Sequence, residues 1–484
     1  MKSTNRIQRP THGLGSERVV LIIGACALDR LIYVDKYPTP DSKVRSTTYV
    51  EAGGGNAANT AVSLARLSKA AFASSSLQVG DGLPPPPIKV KLLTKIGSDR
   101  VGDMLHEQLE ENGVDLSSPL YIRSPGTTTS FTTVIVSEME HTRTCIHTPG
   151  TCGELSPEEL GDYSDEFMDK LFENVIHVHS DMRHTELAVL VAKEATKRGI
   201  PVSVDAEKDR GGDAMVELLD LASVVLTNSE QLTTFLNRVD DSDEWHCDKS
   251  SPGAYIRAAR LCHYFRRRNI YNQIIATLGE YGALHVQHMS TKTERVSMED
   301  EKVDCGDEII KYHPSNHTVE VRRVLQVDIS DRQAKRDGNC SDCSEGSTMT
   351  VVKQDLYKLY LVGTLRNAKV MDTTGAGDCY IAGYLLSLTA QEQQQSQHPD
   401  PVQNPTTRRR MPSPSRSSSK INVDFALDFG LMLGSWVAGK KLAGFGARAA
   451  LPTASDLDKE LGVDDITVWQ CLKALLKEPK TPPI

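Results

Sequence analysis

Short apolar runs alternate with helical patterns along most of this chain. The first run, Val19–Gly24, contains no polar side chain, which is typical of a strand buried on both faces. Similar β-rich apolar runs lie at Lys89–Thr94, Val175–Val178, Pro201–Val204, Ser223–Leu226 and Gln273–Thr277. Apolar residues at helical spacing lie between many of these runs, at Asn56–Leu67, Thr185–Arg198 and Ala254–Arg267. The alternation predicts an α/β fold with a mainly parallel central sheet and helices on both faces.

Three segments rich in Thr, Val and Ser have a different pattern. They are Lys43–Val50, Thr128–Val136 and Arg143–His147, and polar and apolar residues roughly alternate in each of them. Such alternation indicates strands with one exposed face. Because these segments interrupt the strand–helix order, we expect a small β-sheet lid outside the main sheet, with strands near residues 30–52 and 125–148.

Polar stretches suggest where the domain begins and ends. We expect a disordered N-terminal tail over residues 1–17, one large domain over 18–455 and a C-terminal extension over 456–484. Inside the domain, the stretches near 294–350 and 391–420 are polar and charged. Such compositions bury too little apolar surface to offset the entropy of ordering, so we interpret both as insertions that are at least partly disordered.

Composition and charge narrow the classes of function. The 55 Lys and Arg residues against 64 Asp and Glu give a net charge of -9, without the basic footprint of a nucleic-acid-binding domain. No stretch has the length and apolarity of a membrane span, and the N-terminus lacks the apolar region of a secretory signal. The ten cysteines are scattered, as in a reduced compartment. We expect a cytoplasmic protein that binds neither nucleic acid nor membranes.

The segment with the strongest chemical signal is Asp372–Asp378, with the sequence Asp-Thr-Thr-Gly-Ala-Gly-Asp. It precedes apolar residues at helical spacing, so its glycines open a helix. Bare amides at the positive end of a helix dipole bind anions, most often phosphate. Asp378 would then face whatever reacts with that phosphate, which suits phosphoryl transfer to an alcohol. The alternative is a turn whose aspartates only cap the helix.

A second glycine-rich loop, Gly53–Asn59, precedes the predicted helix Asn56–Leu67. Its glycines allow a ligand to approach the backbone, and its two asparagines can bind sugar hydroxyls. Tight packing is a second interpretation. A dinucleotide fingerprint ranks third, because the preceding strand is polar and no acidic residue follows about 20 positions later.

Two further glycine turns could hold a nucleotide. Thr277–Gly282 follows a predicted strand, although a hairpin turn explains it equally well. Gly434–Lys441 resembles a phosphate-binding loop, but Lys441 stands where that motif needs Ser or Thr, so we interpret it as a core helix ended by Gly444. The turn Gly444–Gly446 then becomes a candidate nucleotide contact.

Together these motifs resemble the ribokinase/PfkB family of carbohydrate kinases, from about Arg18 to Pro452 without the insertions. Asp372–Asp378 is similar to the C-terminal signature of that family, and Gly53–Asn59 to its N-terminal sugar loop. Some segments are similar to ketohexokinases: Asp35–Pro38, Asp205–Lys208 and Val437–Lys441. Thr142–Gly150 is more similar to a PfkB branch of plants and microbes.

The resemblance implies a role for individual residues. Asp378 would be the general base, with an anion hole formed by Gly375, Ala376 and Gly377. The implied sugar-binding residues are Asp29, Gly54, Gly55, Asn56, Asn59 and Arg143. Those implied for ATP are Asn228, Thr277, Gly279, Gly282, Gly444 and Gly446. Asp372 and Thr374 match positions that bind potassium in ribokinase-like members.

The resemblance also has one departure. Where the family often has Asn-x-x-Glu for magnesium and phosphate, this chain has Asn228-Ser-Glu-Gln231, so Gln231 replaces the carboxylate and Glu230 lies one position early. The lid of the family commonly forms a dimer interface, which implies a homodimer.

The sequence therefore predicts an ATP- and Mg²⁺-dependent sugar kinase. Two alternatives remain. One is a nucleoside kinase of the adenosine type, which should hold a base between aromatic residues near the lid, where Tyr49 and Phe131 are the candidates. The other is an inactive scaffold that binds sugar or nucleotide, suggested by the insertions and by Gln231.

Overall fold

The computed structural model describes residues 17–74, 87–140, 142–161, 164–232, 234, 257–262, 273–297, 308–313, 318–327, 349–397, 423–461 and 476–477. The expected N-terminal tail lies almost wholly outside these residues, as do residues 398–420 of the second insertion. The chain divides into two compact units. The first contains Met1–Asp205 and Val362–Pro479, and the second contains Ala206–Leu361 and Lys480–Ile484.

The first unit contains a parallel sheet in the order β5-β4-β1-β8-β9. These strands are β1 (Val19–Ile23), β4 (Lys89–Gly97), β5 (Tyr121–Ser124), β8 (Val175–Ser180) and β9 (Val202–Ala206). Every residue of β1 and β8 is buried, as expected for strands covered on both faces. The apolar runs thus predicted the strands of this sheet, apart from the short β5.

A separate four-stranded sheet has the order β3-β2-β6-β7. Its strands are β2 (Ala27–Val34), β3 (Thr48–Gly54), β6 (Phe131–Ser137) and β7 (Thr142–Thr148). The pairs β2–β3 and β6–β7 are antiparallel, and β2–β6 is parallel. The predicted lid is therefore present as a sheet of its own. The predicted strand Lys43–Val50 begins later, at Thr48, and continues through Gly53 and Gly54.

The helices of the first unit are α1 (Asn56–Ala73), α2 (Arg100–Glu111), α3 (Asp165–Leu171), α4 (Thr185–Lys197), α6 (Ala376–Gln397), α7 (Val423–Lys441) and α8 (Ala454–Leu461). Helix α6 packs against both α1 and α7, and α8 packs against α1. This unit therefore includes residues 456–461 of the expected C-terminal extension. The segment resembling a phosphate-binding loop, Gly434–Lys441, is the last part of α7, as predicted.

The second unit contains helix α5 (Asp213–Leu221) and the parallel pair β10 (Val224–Asn228) and β11 (Gln273–Thr277). The antiparallel strands β12 (Ala283–Ser297), β15 (Met349–Val362), β14 (Thr318–Val327) and β13 (Glu308–His313) follow β11 in that order. Strands β13 and β14 lie inside the first expected insertion. Its polar composition did not indicate them.

Among the described residues, no helix combines the length and the apolar character needed to cross a membrane.

Candidate active site

Helix α6 begins inside the Asp372–Asp378 segment, at Ala376. Gly375 has a φ of +73°, and a Cβ at that position would lie 2.5 Å from the Cβ of Ala447. Gly377 is exposed, and a Cβ there would meet nothing within 4 Å. The turn is therefore packed against the chain at Gly375 and open to a ligand at Gly377.

The amides of this turn differ in their partners. The amide of Ala376 donates to the carbonyl of Thr373 at 3.2 Å, so it already has an acceptor. In the described part of the chain, the amides of Gly375 and Gly377 have no backbone acceptor. Donors of this kind at the first turn of a helix suit a phosphate. Of the three amides predicted for an anion hole, those of Gly375 and Gly377 are therefore the two without a backbone acceptor in this conformation.

Asp378 lies in the first turn of α6 and is 6% exposed. Its Oδ2 accepts a hydrogen bond from Nδ2 of Asn59 at 2.9 Å. Asn59 belongs to the first turns of α1, directly after the glycines of the Gly53–Asn59 loop. The packing of α1 against α6 therefore brings the two predicted loops together at the hydrogen bond between Asn59 and Asp378.

Arg448 is a member of this cluster that no spacing in the sequence had indicated. Its Nε donates to Oδ1 of Asn59 at 3.0 Å, and its Nη2 donates to the carbonyl of Gly54 at 3.2 Å. A Cβ on Gly53 would lie 1.9 Å from Nη1 of Arg448, so a side chain at this position would displace the guanidinium. Arg448 thus holds the glycine loop and orients the Asn59 amide toward Asp378.

Asp29 lies within β2, opposite Ala52. A Cβ on Gly54 would lie 2.3 Å from the Asp29 carboxylate, so the missing side chain makes room for that group. Asp29 is 8% exposed. Burial raises the pKa of Asp29 to about 6, while the charge of Arg448 opposes this shift.

The start of α1 is fixed by Asp181, a second functional candidate that the sequence did not indicate. Its Oδ2 accepts from the amides of Ala25 at 2.9 Å and Ala57 at 3.1 Å. Gly55, the N-cap of α1, has a φ of +86°, and Asn56 is half-buried. Asp181 therefore holds the link between β1 and β2 against the loop that carries Asn56 and Asn59.

The lid contributes Arg143, which is exposed on β7. Its guanidinium donates to the hydroxyl of Thr373, the residue after Asp372. Its charge also lowers the pKa of Asp29, although less than Arg448 does. A cation of the lid thus contacts the Asp372–Asp378 turn.

Asp372 connects this turn to Gly444–Gly446. Its carboxylate accepts from the amide of Thr374 at 2.9 Å and from the amide of Gly446 at 2.7 Å. The ammonium of Lys441 donates to the backbone carbonyls of Asp372 at 2.8 Å and Gly444 at 3.5 Å. Helix α7 ends at Lys441, three residues before Gly444, which was the predicted stop.

The remaining residues predicted for ATP belong to the second unit. Asn228 and Thr277 are the last residues of the parallel neighbours β10 and β11, so both lie at the carboxyl edge of that pair. Gly279 and Gly282 lie in the turn between the antiparallel strands β11 and β12, with φ values of +59° and +99°. This turn is therefore a hairpin, and its glycines meet a backbone requirement that needs no ligand.

Gln231 stands where the family often has glutamate, so this position has no carboxylate. The side-chain Oε1 of Gln231 accepts from the backbone amide of Asp209 at 3.2 Å. The backbone amide of Gln231 donates to Oδ1 of Asn228 at 2.9 Å. Glu230 is exposed. Among the described residues, no group of three or more His, Cys, Asp or Glu could hold a metal ion.

The structure bears on the two alternative interpretations of the Gly53–Asn59 loop, a dinucleotide fingerprint and tight packing. The strand before it, β3, belongs to the small sheet and pairs antiparallel with β2, which excludes the strand–loop–helix unit of a dinucleotide fingerprint. Close packing is present at Gly53 and Gly54, but the groups packed there are the guanidinium of Arg448 and the carboxylate of Asp29.

Comparison with known families gives a match to the pfkB family carbohydrate kinases over residues 18–305. The chain belongs to the pfkB family. The matched range ends before Asp372–Asp378. The interpretation of that turn as a phosphate-binding segment therefore depends on the sequence and geometry of the turn itself.

The relatives of this pfkB family member include an ATP-dependent ribose-1-phosphate kinase of Halopiger xanaduensis, 25% identical over 217 residues. That match covers 45% of this chain and 64% of the Halopiger kinase, which is less than two thirds of its length.

Solved structures show the fold. A ribokinase of Giardia lamblia is 15% identical, with a TM-score of 0.57 over 92% of this chain and 99% of its own. An adenosine kinase of Sinorhizobium meliloti is 17% identical, with a TM-score of 0.53 over 92% of this chain and 99% of its own. The fold is therefore ribokinase-like, as the sequence predicted.

Proposed function

We propose that this chain is an ATP-dependent kinase that transfers a phosphoryl group to a sugar hydroxyl. The observation that carries the proposal is the hydrogen bond between Asn59 and Asp378. It joins a loop suited to polyols to a carboxylate beside a helix N-terminus suited to phosphate. Either loop alone has an ordinary structural explanation, whereas the hydrogen bond between them supports a role for Asp378 as the base.

In the proposed reaction, Asp378 accepts the proton of the sugar hydroxyl as the oxygen attacks the γ-phosphorus of ATP. An oxygen–phosphorus bond forms to the sugar, the bond to the β-phosphate oxygen breaks, and ADP leaves. The amides of Gly375 and Gly377 stabilise the charge on the transferred group. Asp29, Asn56 and Asn59 bind sugar hydroxyls beside Gly54 and Gly55.

ATP and Mg²⁺ are part of the same proposal. Gly377 leaves room at the helix start for a phosphate, and Gly444 and Gly446 contribute the turn held by Asp372. Asn228, Thr277, Gly279 and Gly282 are proposed nucleotide contacts of the second unit. Mg²⁺ commonly keeps several waters and binds through substrate phosphates. It therefore does not require a group of three or more His, Cys, Asp or Glu, and the described residues contain none. Bound in this way, Mg²⁺ would neutralise phosphate charge.

The side chains of the lid favour a sugar over a nucleoside. The guanidinium of Arg30 lies 4.1 Å from the ring centroid of Phe131, and the hydroxyl of Tyr49 donates to Glu51 at 2.7 Å. Tyr49 is 54% exposed. The Arg30 guanidinium thus covers one face of the Phe131 ring, and a base that stacked on that face would have to displace it.

A substrate panel tests the proposal. Purified protein is mixed with Mg²⁺, ATP and one acceptor at a time, with aldoses, ketoses, sugar phosphates and nucleosides as acceptors. ADP is measured enzymatically, and the product is identified by phosphorus NMR. The proposal requires ADP and a phosphorylated sugar or sugar phosphate in equal amounts. A nucleoside as the preferred acceptor selects the first alternative, and the absence of ADP release with every acceptor selects the inactive scaffold.

A further inference from the structure

The family likeness implies a potassium ion near Asp372 and Thr374, but a side chain of this protein already occupies the Asp372 oxygens. Lys441 is the last residue of α7 and is 0% exposed. Its Nζ lies 2.8 Å from the carbonyl oxygen of Asp372, 3.5 Å from that of Gly444 and 4.0 Å from Oδ2 of Asp372. An ammonium has three N–H donors, and three oxygens surround this one.

These oxygens belong to the two segments that shape the anion turn. Asp372 opens Asp372–Asp378, and Gly444 opens the Gly444–Gly446 turn. The amide of Met371 donates to the carbonyl of Leu442 at 2.8 Å, and the amide of Gly446 donates to Oδ2 of Asp372 at 2.7 Å. The ammonium thus lies where the two segments meet.

Thr374 is the second residue at which the likeness implies potassium. A monovalent cation needs enough carbonyl or hydroxyl oxygens to replace its hydration shell. The hydroxyl of Thr374 is buried without a hydrogen-bond partner in the described part of the chain, and it supplies only one such oxygen. Lys441 also ends a helix, where the macrodipole favours a cation.

We infer that the Lys441 ammonium takes the place of a monovalent cation, so that this kinase needs no potassium. Lys441 then acts as a positioning residue: it fixes Asp372 and Gly444, and through them the anion turn that begins α6. This inference rests on the proposed kinase function only for its effect on turnover. Its structural part, a site filled by Lys441, can be tested without any substrate.

The first experiment uses the unaltered protein. Its melting temperature and its rate of ADP formation are measured in KCl and in choline chloride at equal ionic strength. We expect the same melting temperature and rate in both salts. A selective increase in either quantity with K⁺ overturns the inference and leaves the kinase proposal intact. If no acceptor is phosphorylated, the kinase proposal fails while the melting temperatures still decide the cation question.

The second experiment removes the Lys441 ammonium and asks whether an added monovalent cation can replace it. Lys441→Ala removes the ammonium and leaves room beside Asp372, so we expect a lower melting temperature and a lower kcat in choline chloride. KCl, NH₄Cl or ethylammonium chloride should restore part of both. A purely structural role for Lys441 would give no ion-specific rescue of kcat.

Lys440→Ala is the matched control, since the neighbouring Lys440 pairs with Glu460. It should show no ion-specific rescue of kcat or of the melting temperature. Wild-type turnover of Lys441→Ala in choline chloride, or failure of all three cations to rescue a folded variant, contradicts the inference. If Lys441→Ala does not fold, the comparison of salts on the unaltered protein decides the question alone.

Discussion

At the scale of single residues, the site depends on side chains that bind each other across long stretches of chain. Asn59 receives a hydrogen bond from Arg448 and donates one to Asp378. The sequence predicted Asn59 and Asp378, because glycine-rich turns before helices have a recognisable pattern. It did not predict Arg448, Asp181 or Lys441, because a single charged residue has no spacing that reveals which loop it will meet.

Asp29 should make stability depend on pH. Burial raises its pKa to about 6 from the usual value near 4, so the folded protein binds this proton more tightly than the unfolded chain does. Its contribution to stability is therefore fully present below about pH 4 and is lost as the pH rises through about 6. We expect Asp29→Asn to exceed the wild type in free energy of unfolding by up to about 3 kcal/mol at pH 8, with no such gain at pH 4.

Urea unfolding at several pH values measures this difference, and the exposed Asp35→Asn is the control that should change little. The same Asp29→Asn substitution should weaken sugar binding, because an acceptor-only carboxylate is replaced by an amide. Equal stability of the variant and the wild type at pH 8 would show that the carboxylate is not destabilised by its burial.

At the scale of elements, apolar runs and glycine turns predicted the parallel strands and the helices, because burial on both faces leaves a continuous apolar sequence. Strands with polar faces were predicted less well. The start of β3 was misplaced by five residues relative to Lys43, and β13 and β14 lie in a segment whose composition suggested disorder. Their backbone pairing is not visible in composition.

The start of α6 offers a pair of substitutions that separates anion binding from folding. Gly377→Ala adds a methyl group to empty space, whereas Gly375→Ala combines a φ of +73° with a collision at Ala447. We expect Gly377→Ala to fold normally and to lose about 100-fold or more in kcat, because the methyl group occupies the phosphate position. Gly375→Ala should lose about 1–3 kcal/mol of stability.

Thermal melts and steady-state kinetics of both variants make this comparison. If Gly377→Ala has full activity and unchanged ADP affinity, then no phosphate binds at the start of α6.

The edge strand β7 carries the predicted dimer interface, which stays a proposal. All seven of its residues are exposed, and Ile146 is 52% exposed. Exposed apolar residues on an edge strand invite pairing with a second copy. We expect sedimentation to give twice the 53.2 kDa chain mass, and Ile146→Lys to give the monomer. Met289→Lys, an exposed apolar position outside the lid, should remain dimeric, and a monomeric wild type would contradict the proposal.

At the scale of the whole molecule, two buried histidines should set the response to acid. His177 and His179 lie in β8, and both hydrogen-bond to the hydroxyl of Ser203 in β9. Burial lowers the pKa of His177 to about 4 and that of His179 to about 3. The stability they contribute is therefore fully present above about pH 6.5 and is lost as the pH falls toward 3.

The wild type should lose several kcal/mol between pH 7 and pH 4 from these two groups, against a smaller opposite change from Asp29. His177→Gln/His179→Gln should have a flatter pH dependence of unfolding free energy, while the exposed His147→Gln should match the wild type. An unchanged slope in the double variant would place the acid sensitivity elsewhere.

Asp378→Asn tests the central claim most directly, because it removes the proposed base and keeps the shape of the side chain. We predict a kcat about 100- to 10,000-fold below the wild type, with ADP affinity, sugar affinity and melting temperature nearly unchanged. The measurement is steady-state phosphorylation of the best acceptor, alongside calorimetric binding of ADP and sugar. Wild-type turnover by Asp378→Asn would contradict the account, since another group would then accept the proton.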